Sequence, residues 1–311
     1  MLMRYGVIIT GGSVADQVDL ARSAEEAGWD GVFTWDGIHV GDDVEVHDPW
    51  VLMAAFAMRT QRVRLGAIVM PLARRRPWKV AREVATLDLL SQGRLILPVG
   101  LGAVDDSAFG RVGEPTDRRT RAQRLDETLA ILEGLGTGEP FGFEGRHYRF
   151  APMRFRPTPR QRPRVPIWTV GAWPSERSMS RVLRYDGLLP HALVRRGAAG
   201  AAGGDGGDGG EGGNGGEGGD LTPALVAEMR DWIAARRSLA GFDIVVEGKT
   251  PAGDRAAAVD LVRPWASAGA TWWIEADWSS WEVAPARARI RAGPPRAEQR
   301  SDTAPSSTSG R

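Results

Sequence analysis

The stretch Leu90–Gly102, LSQGRLILPVGLG, decides the fold. An apolar run, Arg94 to Val99, follows a helix-stopping Gly93 and ends in Gly100-Leu101-Gly102. A dinucleotide-binding turn would need Gly-x-Gly-x-x-Gly, opening a helix after the first strand. Here Gly102 is followed by Ala103, Val104 and Asp105, so the third glycine is missing. The first strand, Arg4 to Thr10, ends in Gly11-Gly12 and also lacks it. The alternative is one stave of a parallel barrel, apolar on both faces, with glycines clearing its mouth.

The rest of the chain supports the barrel. Strand-like segments begin at Arg4, Gly31, Val63, Arg94, Pro166, Asp186, Phe242 and Thr271, giving eight. Helix signals fall between most of them. Ser13 with Asp16 starts the first helix, Asp48-Pro49 the second and Thr222-Pro223 the sixth. We therefore expect a (β/α)8 TIM barrel over residues 1–292. A hairpin-like insertion, Gly138 to Pro157, interrupts the alternation after the fourth helix. Residues 197–220 form a Gly-rich flexible insertion, and residues 293–311 a Pro/Ser/Arg-rich disordered tail.

Composition narrows the function. The net charge of +1 gives no general attraction to nucleic acid or membrane. The absence of cysteine excludes disulfides, thiolate metal sites and a cysteine nucleophile. No apolar run approaches membrane-spanning length, and the N-terminus reads as a strand rather than a signal peptide. A cytoplasmic protein acting on a small-molecule substrate is the expectation.

In a barrel of this type the chemistry sits at the C-terminal ends of the strands. Strand two delivers Asp36 and His39, an acid–base candidate, since a carboxylate can orient an imidazole and favour its cation. The bland alternative is a surface-loop histidine. After strand five, Gly171, Ala172, Trp173, Ser175 and Arg177 meet a helix N-terminus suited to a phosphate, or Ser175 simply caps the helix. Arg74 to Arg76 are either an exposed cluster or a guanidinium clamp on an anion. The loop His39–Asp48 holds no recognisable metal-ligand spacing, so no metal is expected. Trp35, Trp168 and Trp278, near strand ends, could wall a flat ligand, and only one of Trp272 and Trp273 can face the barrel interior.

The ordered set LARSAEEAGWDGVFTWD, RVRLGAIVMPLARRRPWKVAREVATLDLLSQGRLILPVGLG, RLDETLAILEGL, GEPFGFEGRHYRF, PIWTVGAWP, YDGLLP and AGATWWIEA resembles the luciferase-like monooxygenase superfamily. This group includes flavin-dependent monooxygenases and coenzyme F420-dependent oxidoreductases. The resemblance covers roughly residues 4–290, apart from the Gly-rich insertion. It implies FMN or coenzyme F420 at the barrel mouth and an oxidoreductase reaction on a small organic substrate, by oxygen insertion or by hydride transfer. It implies a non-prolyl cis peptide near Val69-Met70 against the ring system, with Gly100 and Gly102 beside that ring. It places the cofactor phosphate at Gly171–Ser178 and makes EGRHYRF a cover for the site. Relatives commonly form homodimers. One departure stands out: F420-using members often carry adjacent Asp-His, whereas this chain has Asp36-Gly37-Ile38-His39. A flavin-binding relative that has lost its acid–base group is therefore an alternative. A phosphate-handling lyase working through a Schiff base is another; it needs a buried lysine, and Lys249 alone lies near a strand end.

Overall fold

A computed structural model describes residues 3–103, 109–193 and 219–296. The chain alternates strands and helices: β1 (Arg4–Ile8), α1 (Val14–Glu26), β2 (Gly31–Thr34), α2 (Pro49–Arg59), β3 (Arg64–Ala67), β4 (Met70–Pro71), α3 (Pro77–Leu90) and β5 (Leu97–Gly100). Then come α4 (Arg118–Gly136), a hairpin of β6 (Pro140–Glu144) and β7 (Arg149–Arg154), β8 (Ile167–Trp173), α5 (Glu176–Val182) and β9 (Gly187–Ala192). The last elements are α6 (Pro223–Ala234), β10 (Asp243–Gly248), α7 (Arg255–Ala268), β11 (Trp272–Glu275) and α8 (Val283–Arg291).

Nine parallel segments run in the order β3-β2-β1-β11-β10-β9-β8-β5-β4. β3 and β4 are two halves of one stave, so the barrel has eight staves, as the alternation predicts. The isolated bridge Leu65–Leu95 joins β3 to the chain leading into β5, while Met70 pairs with Val99. Between the halves lies a non-prolyl cis peptide, at Ile68–Val69, one bond earlier than expected.

The helix starts follow local chemistry. The Ser13 hydroxyl accepts from the Asp16 N–H, Asp48 Oδ1 from the Val51 N–H at 3.0 Å, and Thr222 from the Leu225 N–H. Each satisfies an amide that the first turn leaves without a partner.

Strand alternation splits the core in two. The outer core lies between barrel and helices. The inner core fills the barrel with Ile8, Phe33, Ile96, Trp168, Val245 and Trp272, among others. Trp272 faces in and Trp273 out, as the alternation requires. A Cβ on Gly6 or Gly31 would lie 2.7 Å from Phe33 Cε2, so these glycines make room for that ring.

Two expectations change. Trp168 lies deep in the barrel, packed on Phe33 and Trp272 with ring centroids 5.7 and 5.4 Å away, and walls no ligand at the mouth. The hairpin packs against α3 and α4. Its rings meet Trp78 of α3, and Glu127 of α4 accepts the N–H groups of Arg146, His147 and Tyr148. These contacts anchor EGRHYRF to α3 and α4. The tail is ordered at its start: Pro294 and Pro295 are buried, and Arg296 pairs with Asp30 at 2.6 Å. Most of the Gly-rich insertion and residues beyond 296 lie outside the described residues.

Candidate active site

The mouth of the barrel is built by the C-terminal ends of the strands. Val69 and Val170 pack onto the inner core from above. Gly100 sits between them: a Cβ there would meet Val170 Cγ2 at 3.0 Å and Val69 Cγ2 at 3.1 Å. Any side chain at position 100 would therefore crowd the rim. Met70 points the other way, into the outer core. Gly102 has φ +81°, and a Cβ would lie 2.5 Å from Pro71, so the backbone itself requires glycine there.

A cavity of about 310 Å³ opens beside Gly100 and Val170. Its outer wall is cationic, with Arg118 and Arg119 from the first turn of α4 and Arg177 and Arg181 from α5. Arg181 is held by Asp126 at 2.6 Å. Arg119 and Arg177 are exposed and make no ion pair among the described residues. Ser175 and Ser178 also line this space. Ser175 caps α5, and the Ser178 hydroxyl accepts the Ala172 N–H at 3.0 Å, so that amide already has a partner. Gly171 and Trp173 face outward. A Cβ on Gly171 would strike Leu188, and the Trp173 ring packs on Trp232 of α6.

The predicted acid–base pair is not brought together. The Asp36 side chain is fully buried and is gripped by two guanidinium groups. Arg75 binds it through Nε (3.1 Å) and Nη2 (2.8 Å), and Arg74 through Nη2 (3.0 Å). The arginine clamp thus closes on the chain's own carboxylate. His39 sits on the following loop, with Nε2 3.0 Å from Asp42 Oδ1, and Asp42 is almost wholly exposed. Two residues of extra loop carry the imidazole away from Asp36. Lys249 is 62% exposed and pairs with Asp277 at 2.6 Å, which removes the buried amine that a Schiff-base lyase needs.

Sequence reasoning missed one residue at the mouth. Glu247 lies on β10 two residues past Val245, on the inward face, and accepts the Trp278 indole N–H at 3.3 Å. Burial pushes its carboxyl above the ordinary range, and the Trp278 bond only partly offsets this. Counting parity along FDIVVEG from Phe242 would have found it, because an inward Val245 makes Glu247 inward too.

No helix among the described residues is long and apolar enough to cross a membrane. No cluster of three or more His, Asp or Glu among them is placed to hold a metal ion.

Comparison with known proteins agrees with this architecture. The luciferase-like monooxygenase family profile matches residues 3–306. F420-dependent glucose-6-phosphate dehydrogenase of Amycolatopsis mediterranei is 33% identical over 162 residues, 51% of this chain and 48% of that protein. The enzyme of the same name from Intrasporangium calvum is 37% identical over 137 residues, 42% of this chain and 41% of that one. The chain spans about half the length of the curated relatives it matches. Among solved structures, the F420-dependent tetrahydromethanopterin reductase of Methanopyrus kandleri superposes with a TM-score of 0.67 at 15% identity, covering 94% of this chain and 97% of that one. A monooxygenase from Streptomyces bottropensis gives 0.65 at 20% identity, covering 93% and 97%. At such identities these two show a shared fold. The profile match over nearly the whole chain shows more: the chain belongs to the luciferase-like monooxygenase family.

Proposed function

We propose that this protein is an oxidoreductase that binds coenzyme F420 at the barrel mouth and exchanges hydride with a small organic substrate. The observation that carries the reading is the single cavity joining the Gly100 rim to the guanidinium wall of Arg118, Arg119, Arg177 and Arg181. A cofactor with a flat ring and a long polyanionic tail fits both ends of it. Glycine at position 100 leaves space at the rim, and arginines suit phosphate and carboxylate oxygens through paired N–H donors. The sequence relatives named F420-dependent support the same choice.

Bound F420 would supply hydride transfer at its ring system. The chain's part is to hold and orient it. Val69 and Val170 form an apolar seat, and Arg119 and Arg177 stand ready for anionic groups. The Arg74–Asp36–Arg75 clamp fixes the loop after β2, which borders the mouth.

Titration of the full chain with F420 and with FMN, followed by fluorescence, tests this. Micromolar binding of F420, weakened roughly five- to tenfold by Arg177→Ala and further by salt, is expected. FMN binding with no F420 binding would move the protein to the flavin-dependent side of its family. Binding of neither would sink the redox reading.

A further inference from the structure

Among the described residues, Glu247 is the exception among the inward or buried carboxylates. The others are saturated. Glu25 accepts the N–H groups of Gln61, Arg62 and Val63. Glu275 binds the Thr250 N–H and hydroxyl and Arg289. Asp88 takes two backbone N–H groups and the Gln161 side chain. Each has the donors a structural carboxylate needs when it leaves water. Among the described residues Glu247 has one neutral donor, Trp278, and no cation.

Its position is equally unusual. β10 pairs with β11 so that Glu247 stands beside Ile274, an inner-core residue. β10 pairs with β9 at Asp243–Gly187 and Ile244–Leu188. The same register carried to the mouth sets Glu247 level with His191, on the inward face two residues past Leu189. By register and sequence position, the ionisable groups that share this end of the barrel are His191 on β9, Lys249 two residues on, and Asp277 after β11, which pairs with Lys249. Glu275 faces outward, toward Arg289.

We infer that Glu247 is the proton donor of the reaction, set at the barrel mouth to protonate the oxygen of a ketone or enone as it is reduced. The inference rests on the F420 reading above. The substrate's electrophilic carbon accepts a hydride, carrying two electrons, from the reduced deazaflavin, and its π electrons move to oxygen. Glu247 gives that oxygen one proton, leaving a carboxylate that solvent reprotonates. An alcohol or enol forms, and the cofactor, two electrons oxidised by loss of the hydride, releases its ring N–H proton to solvent. Trp278 donates to Oε2, which leaves Oε1 to carry the proton. A carboxyl lifted by burial keeps its proton at higher pH than a solvated one, as a donor must.

The test uses the full chain, anaerobically, with reduced F420 and either cyclohexanone or cyclohex-2-en-1-one. Binding of reduced F420 is measured first, in wild type and in Glu247→Gln. We expect equal binding within about twofold, consumption of the reduced cofactor by wild type, and a loss of about 100-fold or more in Glu247→Gln. The wild-type rate should fall at high pH as the donor ionises, a limb the glutamine variant lacks. If reduced F420 fails to bind, the functional reading falls. If it binds but neither ketone nor enone is reduced, or Glu247→Gln keeps the wild-type rate, the proton-donor assignment is overturned. Should the glutamine variant not fold by circular dichroism, Glu247→Asp decides. A slower rate that keeps the high-pH limb supports the assignment, and an unchanged rate overturns it.

Discussion

β10 carries two inward carboxylates four residues apart, and they have opposite surroundings. Asp243, at the floor of the barrel, is bound by Arg4, by the Thr271 hydroxyl at 2.9 Å and by the Trp168 indole at 3.2 Å. Burial still lifts its carboxyl, but Arg4, Thr271 and Trp168 all work against that. Arg4 also stacks over Trp272, 4.7 Å from the ring centroid, so the floor is a closed plug of charge and aromatics. Among the described residues Glu247, at the mouth, has Trp278 alone. The floor carboxylate is fully spoken for and holds the fold. The mouth carboxylate is left under-bonded. Perturbed groups of the second kind are those that enzymes use.

Two substitutions probe this contrast. Arg4→Ala should have the larger effect on stability. It leaves the mostly buried Asp243 without its cation. We expect a loss of about 2 kcal/mol in denaturant unfolding, below the usual figure for a buried pair because Arg4 is itself 38% exposed. F420 binding, at the other end of the barrel, should be unchanged. A loss under about 0.5 kcal/mol would mean that the floor pair is ornamental.

Glu247→Gln should have the smaller effect, and of opposite sign. A carboxyl whose folded pKa is raised binds protons better folded than unfolded. Its contribution to stability is therefore lost as pH rises from the unfolded value through the folded one. Glutamine removes that loss. The variant should match wild type below about pH 4, under the unfolded glutamate value, and become the more stable of the two as pH rises. Thermal unfolding across pH reads this directly; a difference that shrinks with rising pH would contradict it.

Much of the barrel is legible in the sequence because its signals are local. Ser13, Asp48 and Thr222 cap helices by reaching amides three residues on, and glycines and prolines mark the ends. The site is less legible because it depends on pairings distant in sequence. Nothing near Asp36 announces that Arg74 and Arg75 will close on it from 38 and 39 residues away. Trp168 looks like a strand-end residue until the register with Gly187 sets its depth. Glu247 was within reach of parity counting, yet reading only the last residue of each strand passes it over.

The under-bonded carboxyl at the mouth should keep its proton above the range of a solvated glutamate. An infrared pH titration comparing wild type with Glu247→Gln measures it. The carboxylic-acid carbonyl band present in wild type and missing from the variant should disappear with a midpoint clearly above the value of about 4.3 for a solvated glutamate. A band that titrates at or below that value would contradict the account.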